Sequence, residues 1–179
     1  MAAESTMVPL GTPLPAFRLP SATGEEVAAE DYDGRMLLVA FLSQHCPYVQ
    51  HVEQGLGELL ARHPELAVVG VCSNDTGISP DDTPDRLAEQ AERAGWGFPY
   101  LVDESQEVGR AFGAACTPDF FLFDAEGRLA YRGAMDDSSP GNGRPVTGEL
   151  LEGAIVAVGN GETVPEPHRP AMGCSIKWR

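Results

Sequence analysis

The sequence predicts an α/β domain in which a central mixed β-sheet carries helices on both faces. Three observations lead there. Residues 36–42 (MLLVAFL) and 66–72 (LAVVGVC) are unbroken apolar runs with the length of strands buried on both faces. Each is followed by a stretch of helical periodicity, so strand and helix alternate. A late pair of apolar segments, joined by a turn at residues 124–127, adds antiparallel strands and makes the sheet mixed.

Taken in order, a Pro-rich lead is followed at residues 25–35 by a short hairpin or extended segment, and then by the first buried strand. From Pro47 the period changes. Val49, Val52, Leu56, Leu59 and Leu60 share one helical face as far as about Pro64. Gly55 and Gly57 lie inside this helix, where each costs about 1 kcal/mol relative to Ala. After the second strand, residues 75–82 read as a polar loop, and Thr83 and Pro84 open a helix that runs to about Gly95. A short strand at 100–102 and a short helix at 106–113 precede the strands at 120–123 and 128–132. The last helix covers residues 147–159, and the tail from Val164 is Pro-rich and reads as irregular.

A chain of 179 residues with 42% apolar content suits one domain with a sizeable core. We assign residues 1–163 to it and residues 164–179 to a C-terminal tail packed on or near it. With 12 basic and 27 acidic side chains the formal charge is −15, which repels nucleic acid and anionic lipid. The paired acids Glu25 and Glu26, Asp81 and Asp82, and Asp136 and Asp137 read as solvated loop positions. The first residues have neither a basic start nor an apolar run of signal-peptide length, so a soluble cytoplasmic protein is expected.

Four cysteines, Cys46, Cys72, Cys116 and Cys174, lie far apart, which argues against a disulfide scaffold. Cys46 stands out because it ends the segment SQHC after a buried strand and precedes Pro47 at the first helical position. A cysteine capping a helix start meets unpaired amides and the positive end of the helix dipole, and both favour a thiolate nucleophile. The competing reading is a small buried apolar residue. No phosphate loop, metal-ligand spacing or cofactor motif is recognisable: His51, His63 and His168 carry no pattern, and the CxxC and HxxxH spacings of zinc sites are absent.

The segments LLVAFLSQHCPYV and CTPDFFLFDAEGRLAYRG resemble the thioredoxin superfamily, and within it the peroxiredoxin-like group of the AhpC/TSA redoxin type. The resemblance covers about residues 8–160, with GCSIKW in the tail also similar. It implies a thioredoxin-like fold. It also implies that Cys46 takes the place of the nucleophilic cysteine, and that Pro118 takes the place of a cis-proline beside it. The Thr117–Pro118 bond would then be cis and would expose backbone groups for strand-like pairing with a substrate. Val49 stands where thioredoxins carry a second cysteine, so no local disulfide can form within CPYV. Ala40 replaces their buried acid, and no arginine precedes the strand at Phe120 as a peroxiredoxin would require. Ser43 matches the Ser/Thr of peroxiredoxins three places before the reactive cysteine.

If Cys46 is resolved within the chain, Cys116, two residues before Pro118, is expected to do so ahead of Cys174, because the proline loop faces the active helix whereas the tail must fold back; the competing reading of Cys116 is an unpaired loop thiol. Cys174 then reads as structural or as the second choice, with Ile176 and Trp178 as anchors, and Cys72 reads as core. His45 either tunes the neighbouring thiol or faces solvent. The expected function is thiol–disulfide exchange by the Cys46 thiolate on a protein or small-molecule disulfide, completed by a second thiol from Cys116, Cys174 or an external reductant. The alternatives are thiol-dependent peroxide reduction, with Ser43 and helix amides holding the oxidant, and a redox-silent binding module that uses the Pro118 groove.

Overall fold

Strand β4 shows most directly how the sequence builds the sheet. All five of its residues, Leu37–Phe41, are buried. Their alternation divides the interior: Leu38 and Ala40 face one apolar core, and Leu37, Val39 and Phe41 face the other. An unbroken apolar run is therefore required here, because both faces are covered.

The computed structural model describes residues 1–179. Its strands are β1 (Ala2–Glu4), β2 (Arg18–Pro20), β3 (Glu26–Ala28), β4 (Leu37–Phe41), β5 (Ala67–Cys72), β6 (Tyr100–Val102), β7 (Cys116–Thr117), β8 (Asp119–Phe123), β9 (Leu129–Gly133) and β10 (Met172–Ser175). The helices are α1 (Pro47–Ala61), α2 (Pro84–Ala94), α3 (Glu107–Phe112) and α4 (Glu149–Gly159). The central sheet has the order β6-β5-β4-β8-β9. Strands β4, β5 and β6 run parallel, while β8 and β9 are antiparallel to their neighbours, so the sheet is mixed. Its class and element order agree with those expected from the sequence.

Helices α1, α2 and α4 cover one face through Val49, Val52, Leu56, Leu59, Leu87, Leu151 and Ile155. On the other face lie Val108 and Phe112 of α3, the β2–β3 hairpin and the tail residue Ile176. Gly57 lies within α1 for a packing reason. A Cβ there would sit 2.6 Å from the carbonyl oxygen of Ala94, so its absence lets α1 and the end of α2 approach closely.

The structure corrects two expectations. The tail is not irregular throughout: β10 is the central strand of a three-stranded sheet of order β1-β10-β7. Its partners are β1 at residues 2–4 and β7 at residues 116–117, separations that local sequence patterns cannot register. The acidic loops are not uniformly solvated either. Asp82, on a 3-10 turn at Pro80–Asp82, and Asp136 are buried, each ringed by hydrogen-bond donors that compensate for lost water.

Candidate active site

The site begins with Cys46 at the N-cap of α1. Its backbone is extended, with φ −70° and ψ 121°, and Pro47 starts the helix. The Cys46 carbonyl accepts from the amides of Val49 and Gln50, which closes the first turn. The sulfur is held between two other parts of the chain. Its S–H donates to the Thr117 carbonyl oxygen at 3.3 Å, and its Sγ lies 2.7 Å from Sγ of Cys174. Cys46 has no exposed surface (0%). The Thr117–Pro118 peptide is cis, and Pro118 helps line a cavity of about 220 Å³ with Tyr48, His51 and Met172.

Strand pairing explains why Cys174, and not Cys116, meets Cys46. In the β7–β10 ladder Cys174 is opposite Thr117, and Ser175 is opposite Cys116. Opposed side chains share a face and consecutive ones alternate, so Cys174 emerges on the Cys46 side and Cys116 on the reverse. Cys116 packs there with Ala134 and Ala171, its sulfur facing the carbonyls of Pro118 and Ala171 at 3.8 and 3.9 Å. The expected ranking of Cys116 ahead of Cys174 is thus reversed by geometry. Proximity in the chain to Pro118 was a poor guide, because a one-residue offset on a strand changes the face.

The environments of these thiols differ as well. Burial, reinforced by the neighbouring Cys46, pushes the Cys174 thiol up to about 11. Cys116 is raised further, by burial and then by Asp119. Cys72 is a core residue whose thiol is likewise raised by burial, with Asp82 adding to it.

The loop before Cys46 is organised by Asp82, which sequence reading assigned to the surface. Its carboxylate accepts from the Ser43 hydroxyl at 2.9 Å, the Gln44 amide at 2.8 Å, Asn74 Nδ2 at 2.8 Å and the Ser79 hydroxyl at 3.1 Å. His45 Nδ1 lies 3.2 Å from the same carboxylate and 2.9 Å from Ser79 Oγ. Ser43, to which only the peroxide-reduction alternative gave an oxidant-holding role, is engaged with Asp82, because a buried carboxylate needs these donors. His45 is oriented by Asp82 and retains partial exposure. Gln90 extends the network by donating to the Ser43 carbonyl while accepting from Tyr100. The Thr117 hydroxyl is buried and makes no hydrogen bond within the protein.

Asn74 joins this loop to the tail. Its Nδ2 binds Asp82, and its Oδ1 accepts from the Lys177 amide at 2.8 Å. The Lys177 carbonyl accepts from Asp75 N and Gln106 Nε2, and Ile176 is buried among apolar neighbours. Neither Asp82 nor Asn74 carried a signal in the sequence. Gly-Cys-Ser followed by the anchors Ile176 and Trp178 was the available hint for the tail.

A family model described as AhpC/TSA family matches residues 10–132. A solved structure of an uncharacterized conserved protein from Geobacillus kaustophilus is 43% identical, with 100% of this chain and 97% of that chain covered and a TM-score of 0.96. Peroxiredoxin Bcp of Escherichia coli is 30% identical over 72% of this chain and 85% of its own length. The thiol-disulfide oxidoreductase ResA of Geobacillus thermodenitrificans is 27% identical over 70% of each chain. The fold is thioredoxin-like, shared with solved disulfide oxidoreductases. No helix is long and apolar enough to cross a membrane.

Proposed function

The chain belongs to the AhpC/TSA family, and from that premise we propose that it is a thiol–disulfide oxidoreductase whose working couple is Cys46 and Cys174. The observation that carries this reading is the 2.7 Å separation of the two sulfurs at the start of α1. An S–S bond of about 2.05 Å needs well under 1 Å of further approach.

The Cys46 thiolate attacks one sulfur of a disulfide substrate, the substrate S–S bond breaks, and the leaving sulfur departs as a thiolate that takes up a proton. Cys174, having lost its proton, attacks Sγ of the resulting mixed disulfide. The Cys46–Cys174 bond forms and the second substrate sulfur is released. An external thiol then attacks Cys174, the more accessible sulfur of the pair, and Cys46 leaves as a thiolate at the helix start. A second external thiol completes reduction at Cys174. This replaces the single-cysteine scheme with a two-cysteine one. The raised thiol of Cys174, set first by burial, leaves Cys46 as the attacking sulfur of the pair.

Peroxide reduction is the second reading, favoured by the complete burial of Cys46. Here Cys46 attacks a peroxide oxygen, the O–O bond breaks to give a sulfenic acid and an alcohol or water, and Cys174 displaces water to form the same disulfide. Peptide mapping after one equivalent of oxidant tests the couple. A Cys46–Cys174 link is expected, and Cys174→Ser should leave an adduct or sulfenic acid on Cys46. A Cys46–Cys116 link would refute it.

A further inference from the structure

We propose that β10 is a substrate strand built into the chain: it occupies, in cis, the place on the Thr117 edge where an extended cysteine-bearing segment would pair, so that small oxidants reach Cys46 and disulfides of folded proteins do not. This rests on the oxidoreductase reading above and names the substrate class of the same site.

Three observations converge. Backbone pairing sets Cys174 opposite Thr117, as a docked substrate cysteine would be, and presents its sulfur to Cys46. The opposite edge of β10 is already taken by β1, with Ala2 opposite Cys174 and Ala3 opposite Gly173, so an incoming segment has no free edge of β10 to extend. The strand is also held at both ends. Ala171 and Ile176 are buried, the Ser5 amide donates to the Ala171 carbonyl, and the Lys177 amide donates to Asn74.

Gly173 makes the close fit possible. A Cβ at this position would lie 1.9 Å from the Thr117 carbonyl oxygen and 2.6 Å from its carbon, both of them backbone atoms. Only a residue without a side chain can precede a cysteine delivered along this path, which makes Gly173 a specificity-determining position. For a protein disulfide to reach Cys46, both ladders of β10 must separate. A peroxide or small organic disulfide needs only rotation of the Cys174 side chain away from the sulfur it covers. Oxidising equivalents then leave through Cys174, which external thiols can reach.

The test uses the full-length reduced protein. Its Cys46 is challenged with hydrogen peroxide, with a small aromatic disulfide and with oxidised insulin, and the Cys46 product is followed by mass spectrometry. Oxidation by the small reagents should exceed that by insulin by roughly 100-fold or more, since reaction with a segment scales with the fraction of molecules whose strand is displaced. Gly173→Val, which drives a branched side chain at the Thr117 carbonyl, should raise the insulin rate by about tenfold or more on the same basis. Cys174→Ser, which keeps the strand and removes its sulfur, should leave Cys46 protected from a bulky polyethylene-glycol maleimide yet still oxidised by peroxide. Equal rates with insulin and small oxidants in the unaltered protein would overturn the proposal, as would maleimide labelling of Cys174→Ser at the rate of unfolded protein. Failure of every oxidant to react with Cys46 would instead remove the oxidoreductase reading, and this proposal with it.

Discussion

The Cys46 sulfur lies between two regions held by different kinds of interaction. On one side, the Ser43–His45 loop is fixed by side chains converging on one buried carboxylate, Asp82, with Asn74, Ser79 and Gln90 completing the set. On the other side, β10 is fixed mainly by backbone pairing to β1 and β7, with one side-chain requirement at Gly173. A convergent polar network is sensitive to each member, because removing one leaves others buried without a partner. A backbone ladder tolerates most side chains, and it can separate as a unit and re-form. The difference teaches that the nucleophile's loop is built to stay in place, while its cover is the part able to yield.

The sharpest break in this comparison is removal of the nucleophile. Cys46→Ser should abolish thiol-dependent turnover, a loss of about 1,000-fold or more measured with a small disulfide and an external thiol. Next come the two candidate partners. Cys174→Ser should lower turnover by about 10–100-fold and accumulate the Cys46 adduct, because a thiol held in place is replaced by one that must diffuse in. Cys116→Ser should leave the Cys46–Cys174 link and its rate of formation essentially unchanged, which peptide mapping reads directly.

Asp82→Ala tests the polar side by stranding the donors of Gln44, Asn74 and Ser79 and should destabilise the fold by about 2–4 kcal/mol in urea denaturation. Urea melts of equal stability would mean that the network is dispensable.

On the tail side the expected effect is one of pH. Asp119, the first residue of β8, is wholly buried, Ser5 Oγ and the Ala115 amide donate to it, and burial raises its carboxyl to about 7. The folded state therefore holds a proton that the unfolded state, near 3.8, releases. Its contribution is fully present below the unfolded value and is lost as pH climbs through about 7. Thermal melts of the unaltered protein should fall between pH 3.8 and about 7 relative to Asp119→Asn, which cannot ionise. Parallel curves for the two proteins would show that Asp119 does not govern this window.

Much of this architecture was legible in the sequence because it rests on periodicity. Continuous apolar runs specify strands buried on both faces, the change of period at Pro47 specifies α1, and Cys46 follows as the cap between them. The mixed sheet was equally readable from the turn at residues 124–127. The choice of partner for Cys46 was not, since it depends on which face of β7 each cysteine occupies, and that is set by pairing with residues more than fifty positions away.

The sequence by itself thus determined the sheet, the helices and the cysteine at the helix start, all of which follow from local patterns of burial and capping. Only the tertiary structure decided that Asp82 is an interior hub, that the tail is a strand between β1 and β7, and that Cys174 meets Cys46 while Cys116 turns away. The physical reason is that these features arise from contacts between distant segments, where backbone register and desolvation of a single carboxylate act without leaving a periodic trace.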